Sequence, residues 1–385
     1  MRIAKETEVD QVKKLWDYCF QDGEEFTNYY FQNRYKRESN MVAVDEKEVL
    51  AAIHLNPHRI KLRGNKYDVS YVVGVSSFPQ VRGKGIVSRL MKKSLRHMYE
   101  KNEVVSILMP IDSSIYRRYG YETCYFQREY ILQLADLSQY DIRNRSYKKL
   151  SDENIDDLLR IYSSCIDSYD GVTIKEKSDI EIYRSEVELE GGYIYIAYEG
   201  ISPRGMMVYY PRKEENKIFV RELLYEDIST LEGFLGFLGQ HQTQFKEVKI
   251  RTATNDYISS FYAKLQAMKL EEVPFMMGRV INVLEFLKDT SWMDDEFSIS
   301  IKIEDSIIEE NNRIFKIENK NNSLSIADGI ESDITLSINE FSQLAFGFLS
   351  LDEILFLKGA KCKKAIVEIL STVYRKSNTY INEYI

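Results

Sequence analysis

Cysteine, histidine and proline are all scarce in this chain, and each scarcity closes off a class of function. The four cysteines (Cys19, Cys124, Cys165 and Cys362) are widely scattered, with no CxxC pair and no Cys/His spacing. Neither a zinc site nor a disulfide framework is expected. The four histidines (His54, His58, His97 and His241) form no HExxH pattern. His54 and His58 are close enough to share a strand, but no metal site is expected there. Six prolines in 385 residues leave no long Pro-rich linker. No apolar run approaches the roughly 20 residues a membrane span needs. The opening MRIAKETEVDQVKKLW lacks the apolar core of a signal peptide. A cytoplasmic protein without a membrane partner is expected. A net charge of −8 argues against general nucleic-acid binding and suits a cationic small substrate.

What is present describes an ordinary globular protein, 44% hydrophobic and 29% charged, long enough for two or three domains. Residues 1–145 read as a mixed α/β unit. Val9, Val12, Leu15, Trp16 and Cys19 recur at helical spacing, which predicts a helix near Glu8–Phe20. Strand-like runs follow, broken by polar turns such as RGNK, then a helix from about Lys84 to Lys101 and the short apolar strand VVSILMP. From about Ser146 the order repeats in outline: a helix over SDENIDDLLRIYSSC, with Ser151 at its N-cap, then strands GYIYIAYE, GMMVYYP and IFVRELLYE. Helices over LEGFLGFLGQH and YISSFYAKLQAM and strands EVKIRTA and FMMGRVINV complete that half. The last hundred residues alternate like strands at Phe297, Ile299, Ile301 and Ile303 and include the helix-like SINEFSQLAFGFLS. The expected fold class is α+β.

One stretch carries chemistry. In VVGVSSFPQVRGKGIVSRLMKK an apolar strand feeds a loop in which Gly83 and Gly85 open a helix. Glycines there turn the backbone tightly and aim several N–H groups at one point, and the helix N-terminus adds partial positive charge. Arg82 and Lys84 add formal charge, so the turn suits a pyrophosphate. GKG has neither the first glycine nor the hydroxyl of a Walker A loop, and Ser88 stands where the dinucleotide motif needs its third glycine. The pattern Q/R-x-x-G-x-G/A is satisfied by Gln80-Val81-Arg82-Gly83-Lys84-Gly85, and resembles the acetyl-CoA loop of GNAT N-acetyltransferases. Tyr116, in SSIYRRYGYE, follows Gly85 by 31 residues, where such enzymes commonly place a tyrosine facing the coenzyme sulfur. In the second half, FVRELLY runs into EDISTLEGF, acidic where the first half is basic. That half keeps the scaffold without the anion site.

VRGKGI, SSIYRRYGYE, FMMGRVINV and the terminal YINEYI together resemble the Eis (enhanced intracellular survival) family of multi-domain acetyltransferases over essentially the whole chain; Asn282 departs from it, standing where relatives often have an acidic residue. The resemblance implies tandem GNAT domains at 1–145 and 146–287, the second without coenzyme, and a sterol-carrier-protein-like domain at 288–385. It implies that Val75, Ser76 and Ser77 pair with the pantetheine arm, and that Arg82, Gly83, Lys84, Gly85, Ile86 and Val87 cradle the pyrophosphate. It places Ile111 and Asp112 against the coenzyme, makes Tyr116 the general acid and the C-terminal carboxylate of Ile385 the general base, and implies a homo-oligomer, trimer or hexamer.

The chemistry explains these residue types. An alkyl ammonium, with pKa around 10, must lose a proton before it attacks. The thioester oxygen then needs a donor, such as a strand N–H near Val75–Ser77, and the departing thiolate needs a proton. The acidic, aromatic stretch QDGEEFTNYYF offers Glu24, Glu25 and Phe26, with Tyr30, as the lining of a cation-accepting cleft or, equally, as a solvated helix face. A ping-pong route through Cys124 lacks a neighbouring histidine in sequence. The expected activity is acetyl-CoA-dependent acetylation of a primary amine (aminoglycoside-, polyamine- or lysine-like). The alternative is a coenzyme-binding sensor or lipid carrier with little catalysis.

Overall fold

The computed structural model describes residues 1–262 and 268–384, which gather into two compact units. The first contains Met1–Tyr125, Asp170–Thr173 and the chain from Phe275 onward; the second contains Phe126–Tyr169 and Ile174–Pro274.

The chain begins with β1 (Arg2–Ile3), α1 (Val9–Phe20), α2 (Glu24–Asn33), β2 (Asn40–Asp45), β3 (Glu48–Leu62), β4 (Asn65–Ser77), α3 (Ile86–Glu100), β5 (Val105–Leu108), α4 (Ser113–Arg117) and β6 (Glu122–Gln133). Both long helices form as their periodicity predicts. α1 buries Val12, Leu15 and Trp16, and α3 buries Leu90, Met91, Ser94, Leu95 and Met98. The hairpin between β3 and β4 turns at Arg63 and Gly64, both left-handed (φ 53° and 80°), the backbone that a tight two-residue connection demands.

The middle stretch adds α5 (Leu134–Leu137), β7 (Ser146–Lys149), α6 (Ile155–Ile166), β8 (Val172–Thr173), α7 (Lys177–Leu189), β9 (Tyr193–Glu199), β10 (Ser202–Arg212), β11 (Lys217–Tyr225), α8 (Ile228–Gly239), β12 (Glu247–Thr252), α9 (Ile258–Phe261) and β13 (Lys269–Val280). Ser151 and Asn154 cap one another just before α6, where a cap is expected. The helix expected over YISSFYAKLQAM is seen as α9, and residues 263–267 lie outside the described residues. α7 is an addition to the elements expected from the sequence. The chain ends with α10 (Val283–Asp289), β14 (Phe297–Glu304), β15 (Ile314–Lys320), β16 (Ser323–Asp328), β17 (Ile334–Ser337), α11 (Ile338–Ala345), α12 (Leu351–Lys358) and α13 (Lys364–Val373).

In the first unit the sheet runs β1-β2-β3-β4-β5-β13, with β8 also on β3. β4 and β5 are parallel and their neighbours antiparallel. The strand FMMGRVINV thus pairs with β5, Met277 opposite Leu108 and Val280 opposite Val105. Side chains alternate between two layers. Ile53, Leu55 and Val72 pack with α3, whereas Val42 and Ala52 pack with α1 and α2. A second sheet in this unit, β16-β15-β14-β17, is covered by α11, α12 and α13 through Phe341, Leu344, Ile354 and Leu370.

Arg63 ties the two sheets together. Its guanidinium donates to the carbonyls of Leu344 (2.8 Å), Ala345 (2.9 Å) and Arg375 (2.6 Å), the first two at the C-terminus of α11. A cation satisfies orphan carbonyls there and complements the helix dipole. The Arg63 amide donates to Asp170 Oδ1 (2.7 Å).

The second unit repeats the sheet plan. The latter half of β6 pairs antiparallel with β12, β12 lies parallel to β11, and β10, β9 and β7 follow antiparallel. Phe234, Leu235 and Leu238 of α8 fill its core against Val220, Val248 and Ile250.

Candidate active site

The cleft in the first unit is made by two strands that part. β4 and β5 pair at Ser70–Ser106, Tyr71–Ile107 and Val72–Leu108, where β5 ends. Beyond Val72, β4 continues to Ser77 with no strand paired on its β5 side among the described residues, while Ser76 and Ser77 still pair with Ala52 and Ala51 of β3. Gly74 (φ 58°) lies in an irregularity of the β3–β4 register, and a Cβ there would stand 2.5 Å from the Trp16 ring, so only glycine fits. A strand edge freed of its neighbour can pair with an extended ligand. Val75, Ser76 and Ser77, read from sequence as the pantetheine strand, lie on this free segment.

Directly after it comes the glycine turn. Gly83 (φ 75°) and Gly85 (φ 70°) are both left-handed, and Gly85 is the N-cap of α3 with no side chain capping the helix. The first-turn N–H groups of α3 therefore have no acceptor within the helix. A Cβ on Gly83 would meet nothing within 4 Å, so backbone conformation and an open approach, not packing, call for glycine. Ile86 and Val87 lean on the core beneath α3. Arg82 is exposed, but its Nε and Nη2 donate to the Ser77 carbonyl (3.3 and 3.1 Å), bracing the end of β4 against the turn. These features fit a pyrophosphate followed by an extended arm, as acetyl-CoA presents.

Tyr116 stands across the same core. It is buried in the cluster that includes Leu90, Met91, Val72 and Leu108, against which Val75, Ile86 and Val87 also pack. α4 is short and is fixed by Asp112, whose carboxylate accepts from the Ser114 amide (2.8 Å). Asp112 thus caps α4, and Ile111 beside it is 91% exposed. Burial, and secondarily Tyr119, pushes the Tyr116 pKa up from its ordinary value, so the phenol holds its proton at neutral pH.

The opposite layer is polar and aromatic. His54 is buried against Trp16, Tyr30 and Tyr35, and its Nδ1 lies 2.8 Å from the Tyr30 hydroxyl. Tyr30 donates to Asn56 Oδ1 (3.2 Å), so the imidazole donates from Nδ1. Burial drives its pKa down to about 3, and it stays neutral in ordinary buffers. Glu24 and Glu25 are exposed in the first turn of α2 and Phe26 is half-buried, whereas Tyr30 and Phe31 of that stretch reach the His54 layer. The Cys124 thiol is fully buried and its pKa is pushed up by burial, which closes the ping-pong route. Ile385 lies outside the described residues, but the tail before it enters this unit: Tyr71 Oη donates to the Glu383 carbonyl (3.3 Å). Neither Tyr71 nor Arg63 has a local signature in the sequence, because each acts on a segment about 280 to 310 positions away.

Comparisons with known proteins agree with this geometry. Residues 1–124 match one acetyltransferase (GNAT) domain family, residues 177–280 match a second, and residues 283–382 match the sterol carrier protein domain family. No curated protein matches the chain. Solved structures share the fold over 100% of this chain and 99% of theirs. A conserved protein of unknown function from Enterococcus faecalis, described as a probable N-acyltransferase, is 19% identical with a TM-score of 0.87. A GCN5-related N-acetyltransferase from Anabaena variabilis is 16% identical (TM-score 0.86), and Eis1 from Mycobacterium abscessus 13% (TM-score 0.78). The chain carries two domains of the acetyltransferase (GNAT) class. Two GNAT domains are followed by a sterol carrier protein domain, and the chain shares its fold with Eis1 over its whole length. Among the described residues no helix is long and apolar enough to cross a membrane.

Proposed function

We propose that the protein moves the acetyl group of acetyl-CoA to a primary amine by direct attack, the amine being aminoglycoside-, polyamine- or lysine-like. The observation that carries the reading is the parting of β4 from β5 at Val72, with a glycine cradle at one end and a buried tyrosine facing the same core. In this mechanism the N–H groups of Gly83–Val87 hold the pyrophosphate, and the free edge at Val75–Ser77 aligns the pantetheine. A strand N–H stabilises the oxyanion, and Tyr116 gives its proton to the departing thiolate. A raised phenol pKa keeps that proton in place until the thiolate forms. The carboxylate of Ile385 takes the proton of the amine. Ile111 and Asp112 flank the coenzyme, while Glu24, Glu25 and Phe26 border the entrance for a cationic acceptor.

The same reading divides the chain at 1–145, 146–287 and 288–385, gives the second domain no coenzyme, and assembles the protein as a cytoplasmic trimer or hexamer. A panel of amines incubated with acetyl-CoA, with release of free thiol as readout, tests it. Acetylation of a primary amine at enzymatic turnover is expected. Thiol release no faster than spontaneous hydrolysis across the panel contradicts it.

A further inference from the structure

The last residues of a chain usually fray. Here residues 377–384 form no helix or strand, yet Tyr380, Ile381, Asn382 and Glu383 are all buried. Each hold on this tail comes from a different part of the first unit. Asp170 brackets it, its amide donating to the Asn378 carbonyl (2.9 Å) and its carbonyl accepting from the Tyr380 amide (3.1 Å). Thr379 Oγ1 donates to the Cys124 carbonyl (2.9 Å). The Tyr384 ring packs on Phe275, centroids 4.9 Å apart. Between these holds, Tyr71 Oη donates to the Glu383 carbonyl (3.3 Å).

The place of Tyr71 gives that bond its meaning. It is the next-to-last residue of β4 paired with β5, one position before the last pair, Val72–Leu108. Because side chains alternate along a strand, Val72 faces α3 and Tyr116 while Tyr71 and Val73 face the other layer. With the cradle and the acid on the α3 side, the amine is left the layer to which Tyr71 and the tail belong. Asn56, the cross-strand partner of Tyr71, and Tyr30 line that layer too.

We propose that Tyr71 is a positioning residue whose hydroxyl fixes where the C-terminal tail crosses the amine side of the cleft, so that the tail forms one wall of the acceptor site. The proposal rests on the acetyltransferase reading for its effect on turnover, but not for its effect on the tail. A hydroxyl removed from a buried carbonyl frees the backbone it held.

Tyr71→Phe keeps the ring and its packing and removes only the donor. Hydrogen exchange of the amides at 381–384 should speed up by about fivefold or more, with the rest of the first unit unchanged. Turnover with the best amine should fall by about tenfold, while the acetyl-CoA dissociation constant stays within twofold. In a chain lacking Tyr384 and Ile385 the same substitution should have no further effect on turnover, a non-additivity that a general loss of stability would not produce. Thr379→Val, which loosens the tail from its other end, should reproduce the exchange and turnover changes. Unchanged tail exchange in both variants overturns the proposal, and so does an equal fall in turnover in the full-length and truncated chains. If the wild type acetylates no amine, the functional reading fails and exchange alone decides the latch.

Discussion

The helices α3 and α8 occupy matching places in the two GNAT units and begin in opposite ways. Each follows a strand whose parallel partner stops short: β4 outlasts β5 beyond Val72–Leu108, and β11 outlasts β12 beyond Val220–Ile250. At α3 the N-cap is a left-handed glycine, and the first-turn N–H groups find no side-chain acceptor. At α8 the N-cap is Asp227. Its Oδ1 takes the Thr230 amide (2.8 Å) and hydroxyl (3.0 Å), and Arg145 Nη2 lies 2.9 Å away. A carboxylate with its own cation stands where a phosphate would need donors. The freed strand differs too. In the first unit Val73, Gly74 and Val75 are only half-buried; in the second, Arg221 and Glu222 are buried. Arg221 pairs with Glu190 (3.0 Å) and stacks on Tyr210, and Tyr183 donates to Glu222 (2.9 Å). One framework thus carries an uncapped helix start beside an unpaired strand segment in one unit, and a capped helix start beside a buried ion pair in the other.

The largest expected effect breaks the contrast at Gly83. Gly83→Glu puts a carboxylate into the cradle and forces a side chain into left-handed backbone. Acetyl-CoA affinity by calorimetry should fall at least ~1,000-fold, with the circular dichroism spectrum unchanged and stability lower by only about 1–2 kcal/mol, the cost of a left-handed side chain. Next is Tyr116→Phe, which should lower kcat by ~10²–10⁴ while acetyl-CoA binding holds within threefold, the scale of a lost general acid. Wild-type turnover would take Tyr116 out of the mechanism.

Smaller effects sharpen the comparison from within. The first unit buries a neutral imidazole where the second buries an ion pair. The His54 pKa is depressed by folding from about 6.5 to about 3, so the folded state binds fewer protons than the unfolded state between those values. Stability from this group is complete above about pH 6.5 and is lost as pH falls. The loss is about 2 kcal/mol at pH 5 relative to pH 7, read as a shift in urea midpoint. In His54→Gln the pH slope of that midpoint should be shallower by this amount. Smallest is Asp227→Ala, which should cost about 1 kcal/mol of stability in the second unit, as lost caps do, and leave turnover untouched.

Local features were legible in the sequence because adjacent residues encode them. The glycine turn, α3, the Ser151 cap and the acidic start of α8 all declare themselves within a few positions. What escaped notice depends on partners far along the chain. RGNK reads as a polar turn, but nothing in it reveals that Arg63 clasps the end of α11. FMMGRVINV reads as a strand, but an apolar run fits several neighbours, and only folding selects β5. The burial of Tyr380–Glu383 likewise has no local signature, since Asp170, Cys124 and Tyr71 supply it.

The contrast between the two helix starts comes down to a count of binding sites. Calorimetric titration of the wild-type protein with acetyl-CoA should fit a single class of sites with one molecule bound per chain. The same titration of Gly83→Glu should give no binding heat, because the Asp227 carboxylate already caps the matching helix start in the second unit. Two molecules per chain, or one still bound after Gly83→Glu, would contradict the account.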